Sequence, residues 1–433
     1  MTWQSYRLGD IAESIQSGFA SGEKNVADGF KHLRMNNIHS DGRLDLSLVR
    51  TVPHDLATPK YRLQPDDVLV CTTNSGKLVG KSAMFRAEGD FAFSNHLTRL
   101  RLRSDVADPT FVQKQLWFKW LHGEIEPLCK HWVNQSTLPK EELLDLEVSL
   151  PELDEQQRIA TKLDQIACRL DDTRARLESI PAILKRFCMS VLAAACSGRL
   201  TEDWRKDRRF DGAEPITAES QIDLPELPGT WRYARLGEII TGQKYGTSKR
   251  CTYERIGRPV LRIPNIEEGG AIDGGDLKYG ELPDSEYEQL ALQDGDLLLI
   301  RSNGSVSLVG RCSLVTPEFR GYAYAGYLIR LRPDDNQVLP EYLVRAMAAP
   351  TLRVQIELPA RSTSGVNNIN SSEVGNLLVP LPPLEEQAEI VRRIGAMFKQ
   401  ADAIEARYGK AKSFTDKLMP SVLAKAFRGE LAE

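Results

Sequence analysis

The amino-acid sequence predicts a mixed α/β fold with an internal pseudo-two-fold repeat. Two similar α/β domains are separated by two long helices that form an antiparallel coiled coil. Three observations lead to this prediction. The chain repeats itself in one register, each repeat opens with short apolar runs between polar turns, and each repeat closes with apolar residues at heptad spacing.

The repeat extends over nearly the whole chain. "WQSYRLGDI" at 3–11 matches "WRYARLGEI" at 231–239, and "LPELDEQQRI" at 150–159 matches "LPPLEEQAEI" at 381–390. The offset between the copies changes by only a few residues from the first match to the last. This nearly constant offset indicates a tandem duplication, with units of roughly 1–203 and 229–433.

The first part of each repeat is predicted to be an α/β domain, over 1–150 and 230–380. "DDVLV" and "DGDLLLI" are short apolar runs beside turn residues, which is typical of buried strands. Helices are predicted to open at Pro109 and Pro340, because proline is favoured in the first turn of a helix. Between the repeats, 204–229 is polar and rich in proline and glycine, which indicates a linker.

The second part of each repeat is predicted to be a helical spacer, over 151–203 and 381–433. A strand leads into each spacer, because Leu146, Val148 and Leu150 alternate with polar residues. Pro181 and Pro420 fall at non-equivalent places, so each helix can kink or divide there. The apolar positions at heptad spacing form a candidate coiled-coil seam, and they are Ile159, Leu163, Ile166, Leu170, Ile390, Ile394, Met397 and Ile404. The alternative, that each helix only covers its own domain, stays open.

The composition limits the classes of function. The formal net charge is −4 and the pI is about 6.0, so we do not expect binding of nucleic acid over the whole surface. Any contact with nucleic acid must use local basic patches, or a partner must add positive charge. The first residues do not resemble a signal peptide, and no apolar run appears long enough to cross a membrane. Seven cysteines without a CxxC pair indicate reduced thiols in a cytoplasmic protein.

No catalytic or metal-binding constellation is found. The chain lacks the Asn/Asp-Pro-Pro-aromatic loop of adenine methyltransferases and the GxxxxGK[ST] loop of ATPases. All six histidines lie in the first repeat, so a histidine-based site would not be duplicated. We therefore expect neither catalytic residues nor a metal site, and no cofactor bound to this chain.

Four sets of loops recur at equivalent positions and are rich in side chains that bond phosphates and base edges. Solvated turns of the same composition are the alternative. The candidate nucleic-acid contacts of the first repeat are Ser21, Lys24, Arg34, Asn36, Thr72, Thr73, Asn74, Ser75, Lys77, Lys81, Gln135 and Ser136. Those of the second repeat are Lys244, Tyr245, Ser248, Lys249, Arg250, Arg262, Arg301, Ser302, Asn303, Arg311, Arg361, Ser362, Ser364, Asn367 and Asn368.

The equivalent loops carry different side chains, as "CTTNSGK" and "RSNGSVS" show. Two copies of one fold with different donors and acceptors are suited to two different short DNA sequences. Spacer helices between the copies would set the distance between those sequences. The sequence thus predicts a bipartite, asymmetric DNA target with a non-specific gap.

The chain resembles the specificity subunit of type I restriction–modification systems. The resemblance covers essentially the whole chain and rests on "LPELDEQQRI", "LPPLEEQAEI", "DGDLLLIRSNGSVSLVGR" and "STSGVNNINSSEVGNLLVPLPPLEEQ". It implies two target-recognition domains, and a subunit that binds double-stranded DNA but catalyses nothing. Two modification subunits that use S-adenosylmethionine, and motor–nuclease subunits that use ATP and Mg²⁺, would be its partners, in the cytoplasm of a bacterium or archaeon.

The junction between strand and spacer helix is predicted to take part in docking the partner subunits. Its candidate docking residues are Glu155, Gln156, Glu386 and Gln387. Two other functions remain as alternatives: a protein-interaction scaffold with a coiled-coil core, and a self-sufficient DNA-modifying enzyme without recognisable motifs.

Overall fold

The computed structural model describes residues 3–133, 135–206, 208, 224–357 and 367–431. The chain divides into two compact units. Unit 1 comprises Met1–Glu178 and Gly409–Glu433, and unit 2 comprises Ser179–Tyr408. Each unit therefore combines one predicted α/β domain with parts of both predicted spacers. The division does not follow the predicted domain boundaries.

Unit 1 contains twelve described strands and four described helices, besides the last part of a helix that begins in unit 2. The strands are β1 Gln4–Arg7, β2 Ala12–Ser17, β3 Phe30–Leu33, β4 Arg50–Val52, β5 Val68–Cys71, β6 Thr73–Asn74, β7 Ser82–Met84, β8 Phe91–Phe93, β9 Leu97–Leu102, β10 Lys130–His131, β11 Ser136–Thr137 and β12 Glu147–Leu150. The helices are α1 Leu8–Ile11, α2 Pro109–Leu121, α3 Lys140–Asp145 and α4 Leu153–Glu178.

Unit 2 repeats this order after two helices of its own. The strands are β13 Arg232–Arg235, β14 Ile240–Tyr245, β15 Arg258–Leu261, β16 Lys278–Gly280, β17 Leu297–Ile300, β18 Ser302–Asn303, β19 Cys312–Leu314, β20 Ala323–Tyr324, β21 Leu328–Pro333, β22 Asn367–Asn368 and β23 Leu378–Leu381. The helices are α5 Ile180–Cys196, α6 Glu202–Lys206, α7 Asp284–Leu290, α8 Pro340–Ala348, α9 Pro350–Glu357, α10 Ser371–Gly375 and α11 Leu384–Ala426, which continues into unit 1.

The sheets have the same topology in both units. The four-stranded sheet runs β2-β9-β5-β7 in unit 1 and β14-β21-β17-β19 in unit 2. A three-stranded sheet, β4-β3-β8 or β16-β15-β20, contains one antiparallel and one parallel pair. Strands β1 and β13 pair with β12 and β23, which joins the start of each domain to its end. The duplicated mixed α/β architecture is confirmed.

The central strands explain why their sequences are uniformly apolar. All four residues of β5 and of β17 are buried. In β17, Leu297 and Leu299 pack into one apolar cluster, while Leu298 and Ile300 pack into another. Successive side chains of a strand point to opposite faces, so a strand with a core on each side carries no polar alternation.

The spacer helices differ in how they accommodate proline. Helix α4 ends at Glu178 and α5 begins at Ile180, so the first tract divides just before Pro181. Proline is tolerated in the first turn of α5, where its missing N–H needs no partner. Helix α11 instead continues through Pro420, and the predicted kink or division therefore occurs in the first tract as a break between helices.

The apolar seam of the spacer helices packs both against the other helix and against the α/β domain of the same unit. In unit 1, Ile159, Leu163 and Leu170 of α4 share one core with Met419 and Leu423 of α11 and with the α/β domain. In unit 2, Ile390 and Ile394 of α11 share a core with Val191 and Leu192 of α5. In unit 1, Lys162 contacts Leu431 and Arg174 contacts Asp416, so α4 and the end of α11 run antiparallel. The seam side chains also cover their own domain.

Three seam residues depart from full burial. Ile166 and Met397 are half-buried against the cores. Ile404 is 46% exposed, so its assignment to the seam is wrong. Heptad spacing alone cannot show where along a helix the partner helix is close enough to bury an apolar side chain.

Two further features of the helical part differ from the sequence-based expectation. The linker predicted to begin at 204 overlaps α6, which ends at Lys206. The helical stretch 153–196 contains a window long and apolar enough to cross a membrane by composition alone. Val191, Leu192, Ala195 and Cys196 of this stretch pack into the core of unit 2, whereas most of the apolar window is not buried.

Arg393 of α11 links two carboxylates of unit 2. It contacts Asp203 at 2.7 Å and Glu389 at 2.6 Å. Arg392 and Arg393 hold the pKa of Glu389 at about 2, and Arg393 holds the pKa of Asp203 at about 2. A carboxylate with a lowered pKa stabilises the fold above its ordinary pKa, and this contribution is lost as the pH falls through the lowered value.

We therefore expect Arg393→Met to lower the free energy of unfolding near pH 6, with a difference from the wild type that shrinks between about pH 5 and pH 2. Urea unfolding at a series of pH values measures this difference. Lys399→Met, an exposed change on the same helix, serves as the control. A difference that stayed constant down to pH 2 would contradict the assignment.

Candidate nucleic-acid interface

Two of the recurring loops are joined by strand pairing in unit 2. Strand β18 follows the buried β17 and pairs with β22, so that Ser302 lies opposite Asn368 and Asn303 opposite Asn367. Asn367 Nδ2 donates to the Gly304 carbonyl at 3.1 Å. The pairing thus collects amide side chains, which can both donate to and accept from base edges.

Arg301 extends this group towards the first loop set. Its guanidinium lies 4.5 Å from the centre of the Tyr245 ring, and its Nε lies 3.4 Å from Asn368 Oδ1. The Tyr245 hydroxyl accepts from the Ser371 backbone N–H at 2.8 Å. Attraction between the guanidinium and the face of the ring orients the cation. Arg301, Tyr245 and the paired asparagines are therefore held together in one group. Their role as DNA contacts stays a prediction.

A cavity of about 520 Å³ adjoins this group. The backbone N–H of Arg301 donates to the backbone carbonyl of Tyr327 at 2.9 Å, and Tyr327 lines the cavity. Ser248, Lys249 and Arg262 also line it. Arg262 is oriented by Asp276, whose carboxylate accepts from Nη2 at 2.9 Å. We call the following residues the unit 2 loop surface: Tyr245, Ser248, Lys249, Arg262, Arg301, Ser302, Asn303, Tyr327, Asn367 and Asn368.

Several predicted contacts lie apart from this surface or outside the described residues. Lys244 precedes Tyr245 in a strand and points to the other face, where its Nζ contacts Gln289. Arg311 forms an ion pair with Glu268 at 3.7 Å. Arg250 is exposed beside Lys249. Arg361, Ser362 and Ser364 lie outside the described residues.

The equivalent region of unit 1 is built on the same strand pairs. Strand β6 pairs with β11, so that Asn74 lies opposite Ser136, as Asn303 lies opposite Asn367 in unit 2. The exposed side chains among the predicted contacts of this unit are Lys24, Asn36, Ser75, Lys77 and Gln135. Those that are half-buried are Ser21, Arg34 and Asn74.

Four predicted contacts in unit 1 are buried, so the prediction that their side chains bind DNA is wrong. Thr72 Oγ1 lies 3.1 Å from Thr98 Oγ1, and Ser136 Oγ lies 2.8 Å from His131 Nδ1. Lys81 Nζ donates to the Ile38 carbonyl, and burial lowers the pKa of this ammonium group. Thr73 is buried in strand β6. The side chains of Thr72, Ser136 and Lys81 thus form hydrogen bonds inside the domain rather than facing solvent.

Three of the four predicted docking residues are also buried. Gln156 Oε1 accepts a hydrogen bond from the Asp108 backbone N–H at 2.9 Å, and Gln156 Nε2 donates to the carbonyls of Val106 and Pro151. In unit 2, the side chain of Gln387 accepts from the Leu339 backbone N–H and donates to the carbonyls of Gln337 and Pro382. These glutamines fasten each spacer helix to its own domain.

Glu386 is fully buried and bonded on both carboxylate oxygens. Oε1 accepts from Thr201 at 2.6 Å and from Arg205, while Oε2 accepts from Trp231 Nε1 at 2.8 Å. The prediction that Glu386, Gln156 and Gln387 contact a partner subunit directly is therefore wrong. Glu155 is half-buried, and its docking role stays a prediction.

Exposed aromatic residues are the candidates that the sequence analysis missed. Tyr253 and Tyr327 are exposed at the cavity side of unit 2, and Lys278 Nζ lies 4.7 Å from the Tyr253 ring. Trp132 is exposed in unit 1. An aromatic residue inside a polar loop, as in "KHWVNQS", is the sequence pattern from which these residues could have been predicted. Within the described ranges, no group of three or more His, Cys, Asp or Glu residues is placed to hold a metal ion.

Comparisons with known proteins identify the same duplicated domain. Residues 1–182 and 228–410 match the type I restriction modification DNA specificity domain. The chain is 32% identical over 404 residues to the type I restriction enzyme EcoKI specificity subunit of Escherichia coli, covering 92% of this chain and 82% of that protein. It is 31% identical over 400 residues to the StySPI specificity subunit of Salmonella potsdam, again covering 92% and 82%.

Solved structures share the fold at lower sequence identity. The HsdS subunit from Thermoanaerobacter tengcongensis has a TM-score of 0.60 at 19% identity, covering 99% of this chain and 97% of that chain. A chain from a structural study of complex assembly and conformational transition in the type I R-M system has a TM-score of 0.70 at 19% identity, covering 99% and 98%. With the family domain matched in both repeats, this chain belongs to the specificity subunits of type I restriction–modification systems.

Proposed function

We propose that this chain reads a bipartite, asymmetric DNA target, with unit 1 and unit 2 each contacting one half-site. One observation carries the proposal. The same strand pair, in which Asn74 lies opposite the buried Ser136 and Asn303 lies opposite Asn367, leads into a loop that exposes Ser75 and Lys77 in unit 1 but Ser305 and Ser307 in unit 2. A common framework with different side chains is the arrangement expected for two readers of different sequences. Family membership also favours DNA recognition over the scaffold and self-sufficient-enzyme alternatives.

The proposal includes partner subunits that supply the chemistry. Two modification subunits would methylate the target with S-adenosylmethionine, and motor–nuclease subunits would use ATP and Mg²⁺. The chain itself would bind no cofactor and act in the cytoplasm. The resemblance to specificity subunits supports a chain that recognises DNA and partner subunits that carry out catalysis.

Mapping methylated motifs in cells that carry the complete system tests the bipartite target. The expected motif has two different defined halves and an unspecified gap. Methyl transfer by the isolated chain would instead favour a self-sufficient enzyme. A complex that binds DNA with neither sequence preference nor a steep dependence on salt would favour the scaffold alternative.

Shortening the helical spacers is expected to shorten the gap and leave both half-sites unchanged. Removing about one turn (~4 residues, ~6 Å) from both the α4–α5 tract and α11 corresponds to one or two base pairs at about 3.4 Å each. The same methylation mapping provides the measurement. A shortened complex that still methylates the original spacing would show that the helices do not set the gap.

A further inference from the structure

The hairpin formed by β10 and β11 ends in two exposed apolar residues. Trp132 is 70% exposed and Val133 is 99% exposed. All six tryptophans of the chain lie in described residues, and Trp132 alone among them is exposed. Isolated exposed apolar residues are common on protein surfaces, but a tryptophan and a valine side by side at a hairpin tip form a projecting apolar feature.

The hairpin is held firmly at its base. His131 Nδ1 lies 2.8 Å from Ser136 Oγ across the two strands, and the Trp132 N–H donates to the Gln135 carbonyl at 2.8 Å. Strand β11 pairs in turn with β6. The position of the tip is therefore set by a three-stranded sheet, which reduces the entropy that would be lost when the tip binds.

The same sheet places the tip beside the exposed polar loop of unit 1. Strand β6 leads directly into Ser75 and Lys77, which are exposed. A Cβ atom built on Gly76 would lie 3.5 Å from Ser136 Oγ, so the hairpin base packs against this loop. Trp120 Nε1 donates to the Lys77 carbonyl at 3.1 Å and supports the loop from the other side.

The surroundings of the tip suit a nucleic-acid duplex better than an apolar partner. Lys130 and Lys77 are exposed near the hairpin base, and Glu126 Oε1 lies 3.4 Å from the Cβ position of Gly76. Lysines can contact phosphates while an apolar tip reaches the bases. Apolar wedges on DNA-binding proteins enter between base pairs in this way and unstack one step.

We propose that Trp132 and Val133 form a wedge that enters the DNA at one base step of the half-site contacted by unit 1. This inference rests on the proposed function, in which unit 1 contacts one half-site. Stacking of the indole on an exposed base would offset the cost of opening the step. Because pyrimidine–purine steps open most easily, the wedge would contribute a preference for such a step without hydrogen bonding to a base.

Binding of the complete complex with its modification subunits tests the wedge. The probe is a duplex that carries the motif mapped in cells, and the variant is Trp132→Ala with Val133→Ala. We expect specific binding about tenfold to a hundredfold weaker than wild type. The slope of log affinity against log salt should be unchanged, because an apolar contact releases no counterions. Lys77→Ala should instead reduce that slope.

Base unstacking provides a direct readout. A 2-aminopurine placed on either side of each step of the first half-site in turn should change in fluorescence at one step with wild type, and not with the double variant. Trp132→Phe should retain most of this signal. Leu48→Ala, which removes another exposed apolar side chain of unit 1, is the matched control and should behave as wild type.

Each other result has a distinct meaning. Unchanged affinity and unchanged 2-aminopurine fluorescence in the double variant would overturn the wedge. Loss of the modification subunits from the complex during gel filtration, seen only with the double variant, would show that the tip binds protein instead of DNA and would also overturn it. Absence of sequence preference in the wild-type complex would refute the proposed function itself.

Discussion

Replacing Glu386 with alanine is expected to lower the free energy of unfolding by about 3–5 kcal/mol. The carboxylate is fully buried and accepts hydrogen bonds from Thr201, Arg205 and Trp231. Removing it would leave the Arg205 guanidinium, itself largely buried, without its counter-charge. Breaking one side of a buried ion pair costs far more than losing a surface pair, because the remaining charge has lost its hydration.

The neighbouring residue provides a matched control. The Glu385 side chain is 77% exposed, and its nearest cation is Arg208 at 3.7 Å. Glu385→Ala should therefore change the free energy of unfolding by about 0.5 kcal/mol or less. Urea unfolding followed by tryptophan fluorescence measures both variants. Similar small effects for the two variants would contradict the structural role assigned to Glu386.

Replacing Arg301 with alanine is expected to weaken specific DNA binding by about tenfold to a hundredfold, through one half-site only. Arg301 lies at the centre of the unit 2 loop surface, between Tyr245 and Asn368. A guanidinium that contacts a base edge contributes about 1–3 kcal/mol of discrimination. Loss of the contact should therefore relax the sequence preference at the half-site of unit 2 and leave the other half unchanged.

Competition binding with duplexes altered in one half at a time measures this effect. Arg311→Ala removes the same charge from a residue that is paired with Glu268 away from the loop surface. This control should keep the preference of the wild type at both halves. If Arg301→Ala altered the preference at the half-site of unit 1, the assignment of one unit to each half would be wrong.

Much of the fold could be predicted because its signals are local. The apolar runs at Val68–Cys71 and Leu297–Ile300 mark the buried strands, and the prolines at 109 and 340 mark helix starts. The duplication needed only a comparison of the chain with itself. These features depend on neighbours in sequence, so a pattern along the chain contains the information.

The candidate site was predictable in part, for the same reason. Asn303, Asn367 and Arg301 were identified from their residue types and positions, and strand pairing brings them together. Thr72 and Lys81 have equally suitable side chains but are buried. Whether a polar side chain meets solvent or an internal carbonyl depends on chain segments distant in sequence, such as the Ile38 carbonyl that accepts from Lys81.

The repeated junction between strand and spacer helix contains both features that the sequence determines and features that depend on the tertiary structure. The sequence by itself determined that "LPELDEQQRI" and "LPPLEEQAEI" are equivalent turns from a strand into a spacer helix, because spacing and repetition are properties of the chain alone. Only the tertiary structure decided that Gln156, Gln387 and Glu386 face inward. Their partners come from elements far along the chain, and a buried polar group is stable only where such partners complete its hydrogen bonds.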